Sequence, residues 1–168
     1  MYKPLKKKIV SVLVKNEANV LTRVVMMFGR RGFNIDSLTV SATNDPTISR
    51  ITIAFSATEQ SMQQIITQTQ KLEVVQSVYL LDRENGMYRE LLLMKLNATK
   101  EDRTHILEIC NVFHAKIEDL SRDSMIISVT GTPEKIDGFL DIMSCYDIVE
   151  VCRTGIAGIE TPRGRNER

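Results

Sequence analysis

Along this chain the apolar residues switch repeatedly between the two-residue alternation of strands and the 3.6-residue recurrence of helices. The order of those switches repeats once. Lys8–Lys15 is short, β-branched and bounded by charge and Asn, which reads as a strand apolar on both faces or nearly so. Val20, Leu21, Val24, Val25 and Phe28 then recur at helical spacing, with Asn19 placed as N-cap and Gly32 as C-cap. Ile35–Ala42 is a second strand and Asn44-Asp45-Pro46 a turn. Ile51, Ile53 and Phe55 alternate in a third strand. Met62, Ile65, Ile66, Thr69 and Leu72 bring back helical spacing, and Val74–Leu81 closes a β-α-β-β-α-β unit.

Asp82-Arg83-Glu84-Asn85-Gly86 is polar and aperiodic, so a linker is placed at 83–87 between a first domain, 1–82, and a second, 88–168. After it the order repeats. Leu91–Leu96 is a strand, Ile106, Ile109, Cys110 and Phe113 mark a helix, and Lys116–Leu120 and Met125–Thr130 are strands joined at Ser121-Arg122-Asp123. Thr132 as N-cap with Pro133 at the first helical position opens another helix, carried by Ile136, Phe139, Leu140 and Met143. Ile148–Cys152 is the last strand, and 156–168, with its Gly, Pro and charges, reads as a flexible tail.

Two such units in tandem predict an α+β protein built from ferredoxin-like βαββαβ domains. Helices on one face leave the other face of each sheet open, and Val10, Val12 and Val14 are expected to load it with apolar surface. A unit of this size has a marginal core by itself. A homodimer or larger assembly follows as the expectation.

Composition removes several classes of function. With 22 Lys+Arg against 21 Asp+Glu the net charge is +1, which gives no electrostatic case for nucleic acid or an anionic membrane. An RNA-recognition fold shares the element order but stacks bases on aromatics of its central strands. Here the third strand offers one Phe, and aromatics make up 5% of the chain. No apolar run approaches the roughly 20 residues of a membrane span, and the basic start leads into a strand rather than a signal-peptide core. Three cysteines without a CxxC pair argue against a disulfide scaffold or Cys-rich zinc site, and point to a reducing cytoplasm. His105 and His114 are nine apart without metal-ligand neighbours, and are read as surface or capping residues; Cys110, Cys145 and Cys152 are read chiefly as packed thiols. No metal, cofactor or catalytic constellation is expected on this chain.

The segment with chemical content is Lys15-Asn16-Glu17-Ala18-Asn19-Val20-Leu21-Thr22-Arg23. A loop entering a helix presents unpaired N–H groups and the positive end of the helix dipole, which suit a carboxylate. The Asn16 amide oxygen beside them suits an ammonium, so the pair suits a zwitterionic amino acid. The plainer reading is that Asn16 makes a turn and Asn19 caps the helix. Residue chemistry leaves both open.

The run Ile9–Val24, with Phe28-Gly29-Arg30-Arg31-Gly32-Phe33-Asn34-Ile35-Asp36-Ser37-Leu38-Thr39-Val40, closely resembles the small, regulatory subunit of acetolactate synthase. The resemblance continues through Thr43–Arg50, with its Asp45-Pro46-Thr47-Ile48-Ser49-Arg50 run, Gln70-Lys71-Leu72, Arg89-Glu90-Leu91 and Ile148–Gly155. It implies that the first domain is an ACT domain, which pairs with a second copy and binds amino-acid effectors at the interface. It further implies a chain without catalysis of its own that activates a thiamine-diphosphate-dependent catalytic subunit and confers valine feedback inhibition in branched-chain amino-acid biosynthesis. Thiamine diphosphate, Mg2+ and FAD are expected in that partner and none on this chain. The implied effector residues are Asn16, Ala18, Asn19, Val20 and Leu21 of one protomer with Asn34 and Ile35 of the other. Asn16 and Asn34 would make polar contacts, and the 18–21 backbone would take the carboxylate. The family pattern reads Asn-x-x-Gly where this chain has Asn19 in place of Gly, which predicts a weakened or altered effector response with activation of the catalytic subunit intact. The alternative is an ACT-type amino-acid sensor or dimerisation module serving a different enzyme.

Overall fold

A computed structural model describes residues 6–82 and 84–162. The described chain divides into two units. One runs up to Tyr88 and resumes from Ile156; the other is Arg89–Gly155.

In the first unit the elements are β1 (Lys6–Lys15), α1 (Val20–Gly29), β2 (Ile35–Ala42), β3 (Ile48–Ala57), α2 (Glu59–Gln70) and β4 (Val75–Leu81). They form an antiparallel sheet in the order β2-β3-β1-β4, so the consecutive pair β1 and β2 are separated by β3. This is the ferredoxin-like split crossover predicted from the element order. Val10, Val12 and Val14 of β1 join Ile51, Ile53 and Phe55 of β3 in a core closed by Val20, Val24 and Phe28 of α1 and Met62 and Ile65 of α2. Phe28 and Phe33 both meet Phe55 edge-on, with ring centroids 5.2 and 5.9 Å apart. The three valines therefore face the helices, contrary to the expectation that they load the open face. Central strand β1 is apolar on both sides, and alternation alone does not say which set meets the helices. On its other side, Ile9 and Leu13 pack with Ala54, Tyr79, Leu81 and Ile156.

Helix α1 stops where Gly32 takes φ 73°, a conformation that costs glycine little. Gly32 N–H donates to Gly29 O at 3.0 Å and Phe33 N–H to Phe28 O at 3.2 Å, the paired bonds of a Schellman closure. The expected C-terminal signal at Gly32 is thus realised. Of the expected apolar stripe, Val20, Val24 and Phe28 are buried together with Met27, while Leu21 is 40% exposed on its flank.

The second unit repeats the plan with β5 (Gly86–Asn97), α3 (Lys100–Phe113), β6 (Lys116–Leu120), β7 (Ser124–Gly131), α4 (Pro133–Met143) and β8 (Asp147–Arg153), ordered β6-β7-β5-β8. Leu92, Met94 and Leu96 of β5 pack with Met125, Ile127 and Val129 of β7 against Ile106, Cys110, Ile136 and Phe139. Thr132 accepts the Lys135 N–H with Pro133 behind it, as the sequence predicts.

Two boundaries differ from the expected ones. Residues 84–87 are no free linker: Asp82 Oδ1 accepts the N–H groups of Glu84 and Asn85 at 2.9 Å, and β5 already starts at Gly86. Arg83 lies outside the described residues. Nor is the expected tail uniformly loose. Ile156 is fully buried, Ala157–Glu160 forms β9 against the opening of β5, and Thr161 N–H donates to Asn85 O at 2.7 Å. Its last part, 163–168, lies outside the described residues.

Candidate functional site

The loop from β1 to α1 is tied to its surroundings by backbone bonds. Lys15 N–H donates to Val74 O at 2.9 Å, and Asn16 N–H to Thr47 O at 2.7 Å. The Asn16 side chain adds a third tie, its Nδ2 donating to Pro46 O at 2.9 Å. Asn16 Oδ1 accepts from no described residue, and Asn16, Ala18 and Asn19 are exposed.

Asn19 sits at φ 66°, ψ 1°, in the left-handed region, and its side chain makes no capping bond. It holds the N-cap position expected of it without capping. The first three N–H groups of the helix, from Val20, Leu21 and Thr22, have no acceptor within the helix. No acidic residue occupies the first turn. By contrast α2, α3 and α4 each carry a Thr cap and an acid in the first turn. Val20 is buried beneath the loop and Leu21 stands beside it, half exposed.

Asn34 and Ile35 are elsewhere in the unit. Asn34 is exposed, and Ile35 packs against the edge of the core. β3 meets Lys15 at Ile48 and Ile35 at Phe55. Seven residue steps along the strand separate those points, about 23 Å at strand rise. The loop half and the β2 half of the expected site are therefore not brought together within one chain.

Comparison with known proteins identifies the family. A family model described as "AHAS small subunit-like ACT domain" matches residues 10–77, and one described as "Small subunit of acetolactate synthase" matches 89–162. The probable acetolactate synthase small subunit of Archaeoglobus fulgidus is 43% identical over 150 residues, spanning 89% of this chain and 93% of that one. That of Mycolicibacterium smegmatis is 41% identical over 155 residues, spanning 92% and 91%. The chain belongs to the acetolactate synthase small-subunit family. The crystal structure of the family's Thermotoga maritima member superposes with a TM-score of 0.84 at 35% identity, covering 93% of this chain and 98% of that one. The first unit is the family's ACT domain, and the fold is the tandem ferredoxin-like arrangement.

Other candidate groups fall into structural roles. His114 takes φ 52° as the C-cap of α3, and His105 is exposed on the same helix. Cys110 is in the core, where burial pushes its thiol pKa up. Cys145 and Cys152 are exposed, unlike the packed thiols expected of them. Helix-turn and edge-strand positions leave such side chains outside the core. Among the described residues no group of His, Cys, Asp and Glu is placed to hold a metal ion, and no helix is long and apolar enough to cross a membrane. The second unit has a cavity of about 370 Å³ at the start of α3, lined by Thr99, Asp102, Asp123, Tyr146 and Asp147 among others. Two of its carboxylates are already engaged, Asp102 in capping Thr99 and Asp147 with Asn97 Nδ2 at 2.7 Å.

Residue reading passed over two features of the first unit. Asp45-Pro46-Thr47 is more than a turn, because its carbonyls hold Asn16. Arg50 donates to Ser11 Oγ at 2.8 Å and to the Tyr79 hydroxyl, with its guanidinium 5.8 Å from the Tyr79 ring centroid. The Asp-Pro-Thr spelling is a legible turn signal. Its target, thirty residues back in the chain, is not.

Proposed function

We propose that this chain is the regulatory partner of an acetolactate synthase catalytic subunit, raising its activity and making it sensitive to valine. The partner would carry the thiamine diphosphate, Mg2+ and FAD, and this chain would contribute no group to the reaction. Two copies would pair through their ACT domains. The Asn16–Leu21 loop of one would then meet Asn34 and Ile35 of the other, which explains why one chain holds the two halves so far apart.

The observation that carries the effector part is the start of α1: three N–H groups without helical acceptors, no acid in the first turn, and a capping residue that does not cap. Such an end favours a carboxylate. The outward Asn16 oxygen offers an acceptor to the ammonium of the same ligand. Leu21 supplies apolar surface for a branched side chain, with Val20 packed in the core beneath it, and a hydroxylated or charged side chain would leave an unpaired polar group there.

The test is acetolactate formation by the cognate catalytic subunit, with and without this chain, across a valine titration. Activation with valine inhibition is the expected result. Folded chain that leaves the catalytic subunit's rate unchanged would overturn the partner assignment. Activation that no valine concentration reverses would overturn the effector site alone.

A further inference from the structure

Asn16 is gripped twice by the β2–β3 turn. Its backbone N–H donates to Thr47 O at 2.7 Å and its Nδ2 to Pro46 O at 2.9 Å. The turn is itself braced. Asp45 Oδ1 accepts from Thr47 N at 2.9 Å and from Thr47 Oγ1 at 2.6 Å, Ile48 N–H closes onto Asp45 O at 3.0 Å, and Thr43 Oγ1 donates to the same carbonyl at 3.0 Å. All these groups but Ile48 and Thr43 lie on exposed residues, where an unbraced turn and a free Asn side chain would sample several conformers.

We propose that Asp45 and Thr47 are positioning residues for the effector: they set valine affinity by fixing the Pro46 carbonyl, which fixes the Asn16 amide, without touching the ligand themselves. This rests on the effector reading above. The chemistry allows the Asn16 amide one orientation at Pro46. The opposite flip would set two carbonyl oxygens 2.9 Å apart with no proton between them. With the nitrogen so committed, Oδ1 is left as the outward acceptor. The Thr47 bonds also hold the Asp45 carboxyl below its ordinary range, so the brace stays ionised throughout neutral pH.

Valine binding to the full-length chain, measured by titration calorimetry, tests the proposal in five variants. Asp45→Ala removes the acceptor for both Thr47 bonds and is expected to weaken valine about fivefold, the scale of one lost hydrogen bond. Asp45→Asn keeps an oxygen at that position and is expected to stay within about twofold of wild type. Thr47→Val loses one of the two bonds and is the milder variant should Asp45→Ala not fold; about a twofold weakening is expected. The deciding measurement places Asp45→Ala in an Asn16→Ala background, where it should have no further effect, because the side-chain amide it positions through the Pro46 carbonyl is gone. Asp45→Ala that binds valine as wild type does, or that weakens binding equally in both backgrounds, overturns the proposal and leaves the effector reading intact. A wild-type chain that binds no valine overturns both.

Discussion

On the proposed effector reading, Asn19 sets folding against ligand binding in a single residue. Its backbone holds φ 66° and ψ 1°, a region that costs most L-residues about 1–2 kcal/mol and Asn less. Gly would remove that strain and also the side chain from the approach to the α1 N–H groups. Asn19→Gly is therefore expected to shift the valine inhibition curve to lower concentration at unchanged activation; superimposable curves would show that the side chain does not obstruct. Asn19→Val is expected to lose about 1–2 kcal/mol of stability, because a β-branched residue is strained at positive φ. The urea midpoint reads that loss. This backbone was legible in the sequence, since a family pattern that puts Gly there announces a left-handed position. The commitment of Asn16 Nδ2 to Pro46 O was not. Both residues lie in loops, where no periodicity predicts which carbonyl meets which amide. The partner of Asn16 is set by the packing of β1 beside β3.

Among the helices, the N-terminus of α3 shows what α1 lacks. Thr99 Oγ1 accepts the Asp102 N–H, and Asp102 Oδ2 accepts the Thr99 N–H at 3.1 Å and its hydroxyl at 2.6 Å. Thr99's side-chain and backbone bonds, with a smaller contribution from His105, hold the Asp102 carboxyl below its ordinary range. A carboxyl whose folded pKa is lowered stabilises fully above its unfolded pKa, about 3.9 for Asp, and loses that contribution as pH falls through the lower folded value. The part of this stability that Thr99's bonds supply should be constant between pH 5 and 8 and decline only in acid below about pH 4. Asp102→Asn, which carries no titrating proton, should remove this part of the acid dependence; an unchanged slope of stability against pH below 4 would exclude the box as a source. Helix ends of this kind were readable, as at Thr132-Pro133 and Gly32, because caps are local chemistry. The facing of β1 was not. Ile9, Leu13 and the three valines are equally apolar, and only the partners that α1 and α2 supply decide which set enters the core.

At the scale of the whole chain, the repeat of element order made the two-unit architecture legible, while the unit boundaries depend on contacts that no local pattern carries. The chain leaves its first unit at Tyr88 and returns to it at Ile156, after the second unit is complete. A stretch of Gly, Pro and charge around 155–164 has the composition of a tail. One buried apolar side chain and a four-residue strand are enough to anchor its start. Ile156 fills a cluster with Ile9, Ala54, Tyr79 and Leu81, and its carbonyl accepts the Thr39 hydroxyl at 2.6 Å. Those partners all belong to the first unit, so the energetic consequence of losing the side chain belongs there as well. Ile156→Ala leaves a cavity whose cost is about 2–5 kcal/mol. Hydrogen exchange resolved along the chain should show the amides of β1 and β4 losing protection by that amount, while those of β6 and β7 keep theirs. Equal loss in all four strands would mean that the two units unfold as one. Loss confined to β9 would mean that Ile156 is only a passenger on the sheet it covers.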